Sequence, residues 1–73
     1  MPRTPHSQQL SAAQIKAVRI ALGMTQEEFA AAIGATVTTV NRSEQGRSAP
    51  SRLLCLAIRA LARLRRITIP ETT

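Results

Sequence analysis

The sequence predicts an all-α domain of four helices, and three features carry that expectation. Two stretches open with the same start grammar: Ser11 is followed three residues later by Gln14, and Thr25 by Glu28. In each, hydroxyl and acceptor side chain can satisfy the cap and third-position amides reciprocally, as in a capping box. Apolar residues then recur at helical spacing, and glycines at 23, 34 and 46 punctuate the pattern where helices would stop. Finally, Pro50-Ser51 announces a long run from Arg52 to Arg66 in which arginines fall on one stripe and almost everything else is apolar.

Taken in order, Met1 to Gln9 holds two prolines, Arg3 and no apolar period, so residues 1–10 read as a flexible leader. A basic arm entering a minor groove through Arg3 stays open beside an inert tail. The first helix runs from Ser11 to Gly23, with Leu10 and Ile15 placed as a hydrophobic staple and Ile15, Val18 and Leu22 as the core stripe. Lys16 and Arg19 lie off that line. The second helix starts at Thr25, with Met24 and Phe29 as its staple, and its apolar face runs through Ala30 to Ile33. Gly34 can then take the left-handed conformation that turns the chain sharply. The third helix starts at Thr36. Its residues Val37, Thr38, Asn41, Arg42 and Gln45 share one face, while Val40, Ser43 and Glu44 turn toward the body of the domain.

Gly46 to Pro50 is a loop, with Gly46 as a cap and Arg47 close behind it. In the last helix, Arg52, Arg59, Arg63 and Arg66 form the polar stripe. Leu53, Leu54, Leu56, Ile58, Leu61 and Leu64 spread over more than half the circumference, whereas covering one small core takes an arc of about 100°. The excess predicts a homodimer through those six residues. Ile67-Thr68-Ile69 alternates before Pro70, which leaves open a short C-terminal strand or a frayed end. The domain proper is therefore 11–66 and the tail 67–73.

Two short capped helices joined by a Gly-centred turn, Thr25 to Gly46, are the layout of a DNA-reading helix-turn-helix. Roughly from Ile15 to Leu61 the chain resembles the phage-repressor-like (Xre) helix-turn-helix family. The motifs that carry the resemblance are Gly23-Met24-Thr25-Gln26-Glu27-Glu28-Phe29-Ala30, then Ile33-Gly34, then Val40-Asn41-Arg42-Ser43-Glu44-Gln45-Gly46, all in register. The resemblance implies a lambda-repressor-like four-helix fold. It implies base-edge contacts from Val37, Thr38, Asn41 and Arg42, and a phosphate grip from Gln26. It also implies an ion pair between Arg19 and Glu44. Thr36, Gln45 and Arg47 are further phosphate candidates by position. At Ser43 the chain departs from the family, which usually has a large apolar or aromatic residue there.

At 73 residues the chain holds one domain with one small core. Ten Lys and Arg against four acidic residues give a formal charge of +6, which suits an anionic partner. Neither the N-terminus nor the run from Leu53 to Leu64, interrupted by Arg59 and Arg63, reads as a signal peptide or membrane span, so a cytoplasmic protein is expected, nucleoid-associated when bound. Cys55 alone makes no disulfide or metal cluster and reads as a small buried hydrophobe. With one His in the leader, no Asp and no Tyr, catalysis has little to work with, and neither cofactor nor metal is expected.

The expected function is a sequence-specific DNA-binding transcriptional regulator, a repressor that reads a palindromic operator in double-stranded DNA as a dimer. Two alternatives stand beside it. One is an antitoxin that represses its own operon and binds a toxin protein, and the other is a protein-interaction module that keeps the fold without DNA binding.

Overall fold

The computed structural model describes residues 9–70, and within them the chain forms four helices and no strand. They are α1 (Ala12–Leu22), α2 (Gln26–Ile33), α3 (Val37–Glu44) and α4 (Arg52–Leu64). Both capping boxes form. Ser11 Oγ accepts the Gln14 amide at 3.1 Å while Gln14 Oε1 accepts the Ser11 amide at 2.9 Å. Thr25 and Glu28 exchange the same pair of bonds at 3.0 and 2.9 Å. Thr36 and Ser51 cap α3 and α4 more simply, each hydroxyl accepting the amide three residues on.

All four helices stop by one device. A residue in left-handed conformation follows the last turn, and the next amide reaches back to the carbonyl five residues earlier, which satisfies a helix-end acceptor. The bonds are Met24 to Arg19, Ala35 to Ala30, Arg47 to Arg42 and Ile67 to Ala62. Glycine takes the left-handed place three times, whereas the fourth is held by Arg66 at φ 59°. The helix expected to run to Arg66 therefore ends at Leu64, and Arg66 leaves the arginine stripe.

The core gathers Leu10, Ile15, Val18, Phe29, Ala30, Val40, Cys55, Ile58 and Ala62, with Leu22, Met24, Ile33, Leu54 and Leu61 packed partly buried against it. Helix α2 packs most extensively against α3, and α1 and α2 both rest on α4. Leu10, assigned to the leader, is fully buried, and Gln9 hydrogen-bonds the Pro50 carbonyl at 3.2 Å. The rest of the leader, with Arg3 and His6, lies outside the described residues.

Within the chain, Ile67-Thr68-Ile69 takes neither of the two forms left open for it, strand or frayed end. Its alternation instead turns Ile67 and Ile69 onto the core and Thr68 outward, and the Pro70 carbonyl accepts a 2.8 Å bond from Gln14 Nε2. Ile58, counted among the residues of an interchain face, is fully buried in the chain's own core. Cys55, Ile58 and Ala62 form the inward line of α4 at helical spacing, so two small residues flank one large one where this helix meets the bundle. Leu53, Leu56 and Leu64 remain exposed at 77%, 42% and 76%.

Candidate nucleic-acid interface

The outer face of α3 is set by what its inner face must do. Val40 is buried to 1% exposure and Ser43 to 2%, and these two fix the rotation of the helix. Val37, Thr38, Arg42 and Gln45 are consequently exposed, and Asn41 is half-buried at the boundary. Together with Gln26 at the start of α2 and Arg47 in the following loop, they line an open concavity of about 320 Å³. Of the residues expected to contact DNA, only Thr36 lies outside it. Its hydroxyl caps α3 and donates to Thr39 Oγ1 at 3.0 Å.

The concavity carries two arginines and no acidic side chain. Glu44, the only acid on α3, points inward with 4% of its side chain exposed, and Arg19 neutralises it. Arg19 Nε lies 2.6 Å from Glu44 Oε2 and Nη2 lies 3.0 Å from Oε1, a two-pronged fork in which each nitrogen donates. The remaining prong donates from Nη1 to the Met24 carbonyl at 3.0 Å. Arg19 thus ties the α1–α2 turn to α3. Hydrogen bonding to Glu44 raises its pKa above the ordinary arginine value, against the opposing effect of burial.

The ion pair extends outward. Gln26 Nε2 donates to Glu44 Oε1 at 3.2 Å, and Asn41 Nδ2 donates to Gln26 Oε1 at 3.0 Å. The result is a continuous chain, Arg19, Glu44, Gln26, Asn41, from α1 through α3 and α2 back to α3. Sequence reasoning placed each of these residues but missed the links to Gln26. Nothing in the spacing of positions 26, 41 and 44 announces them, because they arise from the crossing of α2 over α3.

Ser43 Oγ is buried and has no hydrogen-bond partner in the protein. Among the described residues no three His, Cys, Asp or Glu side chains come together as a metal site, and no helix is long and apolar enough to cross a membrane.

Comparison with known families matches the chain to the family described as helix-turn-helix, over residues 15–64. No curated protein and no solved structure matches the chain.

Proposed function

The chain belongs to the helix-turn-helix family and is a DNA-binding transcription regulator, and from that premise we propose that it is a repressor reading a palindromic operator as a homodimer. The observation that carries this reading is the acid-free concavity on α3, with Arg42, Asn41, Thr38 and Val37 around it. Inserted in a major groove, Arg42 forks onto guanine O6 and N7, Asn41 pairs with adenine N6 and N7, and the methyls of Val37 and Thr38 pack on thymine. Gln26, Thr36, Gln45 and Arg47 border that face where the phosphate backbone passes, so they fix register. The exposed Leu53, Leu56 and Leu64 on α4, flanked by Leu54 and Leu61, supply the face for a second copy. A two-fold dimer of this kind reads half-sites about one helical turn apart. Occupying such an operator in the cytoplasm excludes polymerase from an overlapping promoter.

Selection of bound duplexes from random DNA tests the reading. An inverted repeat is expected to emerge, with binding that weakens by orders of magnitude from low to moderate salt if roughly six or more phosphates are engaged. Arg42→Ala is expected to cost about 1 to 3 kcal/mol on that site and to relax one base pair. A pool that never enriches, or an equal loss by Arg42→Ala on every sequence, overturns it.

A further inference from the structure

We infer that α4 pairs antiparallel with α4 of a second copy, along a seam of Leu53, Ala57, Ala60 and Leu64, with the two-fold axis passing between Ala57 and Ala60. The inference rests on the reading that the chain dimerises through this helix, and it gives the manner of pairing. The four residues recur at intervals of four, three and four, the spacing of a coiled-coil seam. They lie on the side of the helix opposite the inward line of Cys55, Ile58 and Ala62. Leu53 and Leu64 are the most exposed leucines among the described residues, Ala60 is exposed and Ala57 half-buried, so the bundle leaves this line open. No charged side chain interrupts it, and α4 has no acidic residue.

The order of residues along the line points to a second copy as its occupant. A two-fold interface must match itself, with each residue facing its mirror position on the other copy. Read from either end, this line is leucine, alanine, alanine, leucine, and both pairs, Leu53 with Leu64 and Ala57 with Ala60, are centred on one point between Ile58 and Arg59. Antiparallel pairing therefore sets Leu53 against Leu64 of the partner subunit, and alanine against alanine at the axis. The small centre lets the helix axes close to about 8 Å, the short end of the usual range. That closeness matters because the 13 residues of α4 span only about 20 Å, which is short for the roughly 800 Å² per partner of a standard interface. Close approach adds the edges of the seam, Leu56 on one side and Leu54 and Leu61 on the other. Charge selects the antiparallel sense. Parallel pairing would gather Arg63, Arg65 and Arg66 of both copies, all exposed, at one end. Antiparallel pairing holds the two clusters about a helix length apart, beyond the screening distance of about 8 Å in physiological salt, and leaves each beside a single arginine, Arg52 of the partner subunit. Because the other side of α4 is built into the core, the seam also fixes the two α3 helices at one separation.

The experiment mixes differently tagged Leu53→Cys and Leu64→Cys chains under mild oxidation and asks which chains become linked. A disulfide needs Cβ atoms about 4 Å apart, so it reports which residues share a layer, and the buried Cys55 stays out of the exchange. The expected product joins position 53 of one chain to position 64 of the other, with little self-linkage of either variant alone. Linked in that way, the dimer is expected to bind the selected operator at least as tightly as the wild type. Ala57→Leu and Ala60→Leu give a second readout by sedimentation. Both add apolar surface, so a loosely associated face would pair more tightly. A close-packed centre is instead forced apart, and the dimer is expected to weaken at least about fivefold while the far-ultraviolet spectrum stays unchanged. Self-linkage of each cysteine variant alone, no linkage in a protein that sediments as a dimer, or leucine variants that tighten it overturns the inference while the dimer stands. A wild type that sediments as single chains at high concentration overturns the dimer itself, and this inference with it.

Discussion

Ser43 offers the sharpest test of how α3 is seated. The residue is only 2% exposed, and its hydroxyl meets no donor or acceptor of the protein. In the unfolded chain the same hydroxyl is hydrated, so folding forfeits those bonds without replacement. That omission costs about 1 to 3 kcal/mol. Alanine removes the hydroxyl and little else, and it adds a few tenths of a kcal/mol through its better helix propensity. Ser43→Ala is therefore expected to stabilise the domain by at least about 1 kcal/mol. In a domain of this size, each kcal/mol moves the unfolding midpoint by about 4 to 8 °C. The assay is thermal unfolding followed by circular dichroism at fixed protein concentration, since self-association would make the midpoint depend on concentration. Ser43→Leu then probes the space around the site. An enclosed void gives a further gain, whereas a closed site costs about 1 to 3 kcal/mol by overpacking. If Ser43→Ala lowers the midpoint, the hydroxyl has a partner, such as a bound water, and the reasoning about an orphaned group fails.

Two further perturbations separate the links of the argument. Glu44→Ala removes the acceptor shared by Arg19 and Gln26, leaving the guanidinium only the Met24 carbonyl; the expected cost is about 3 kcal/mol, read as a lower urea midpoint at unchanged slope. Replacing Arg19 by Met in the same chain should recover much of it, and a loss below about 1 kcal/mol would mean the pair is effectively solvated. Leu53→Glu places a charge at the most exposed leucine of α4, where it touches little of the chain's own core. It should sediment as single chains at micromolar concentration where the wild type gives two, with the far-ultraviolet spectrum unchanged; a wild type that stays single at high concentration ends the dimer.

The parts of the fold that were legible in the sequence are those decided by neighbours along the chain. A capping box needs only a hydroxyl and an acceptor three residues apart, so the starts of α1 and α2 could be read from Ser11-Gln14 and Thr25-Glu28. The rotation of α3 was less directly legible, since the helix carries two valines and the structure buries Val40 while leaving Val37 on the outer face. Helix α4 was harder. A broad apolar arc shows that more is apolar than one core requires, but it does not say which sector faces inward. The bundle decides that, and it presents Cys55, Ile58 and Ala62 to the core while leaving Leu53 and Leu64 outside. The side-chain chain through Gln26 was illegible for the same reason, since it depends on how two helices cross.

The end of α4 shows how a long-range gain can overrule a local preference. No glycine marks the stop, and a left-handed arginine costs about 1 to 2 kcal/mol relative to the right-handed alternative, so local grammar carries the helix on through Arg66. Continued as a helix, the chain would set Ile67 on the side of α4 opposite Ile58, away from the core. Turning at Arg66 lets the Ile67 amide close on the Ala62 carbonyl at 2.8 Å and brings both isoleucines against the core. Full burial of such a side chain stabilises by about 1.5 to 3 kcal/mol, and two half-buried ones together gain about as much as one fully buried. Added to the recovered hydrogen bond, that outweighs the strain at a single residue. The alternation of Ile67, Thr68 and Ile69 has the period of a strand because the extended tail lays one face on the domain, which demands every second side chain whether or not a partner strand exists.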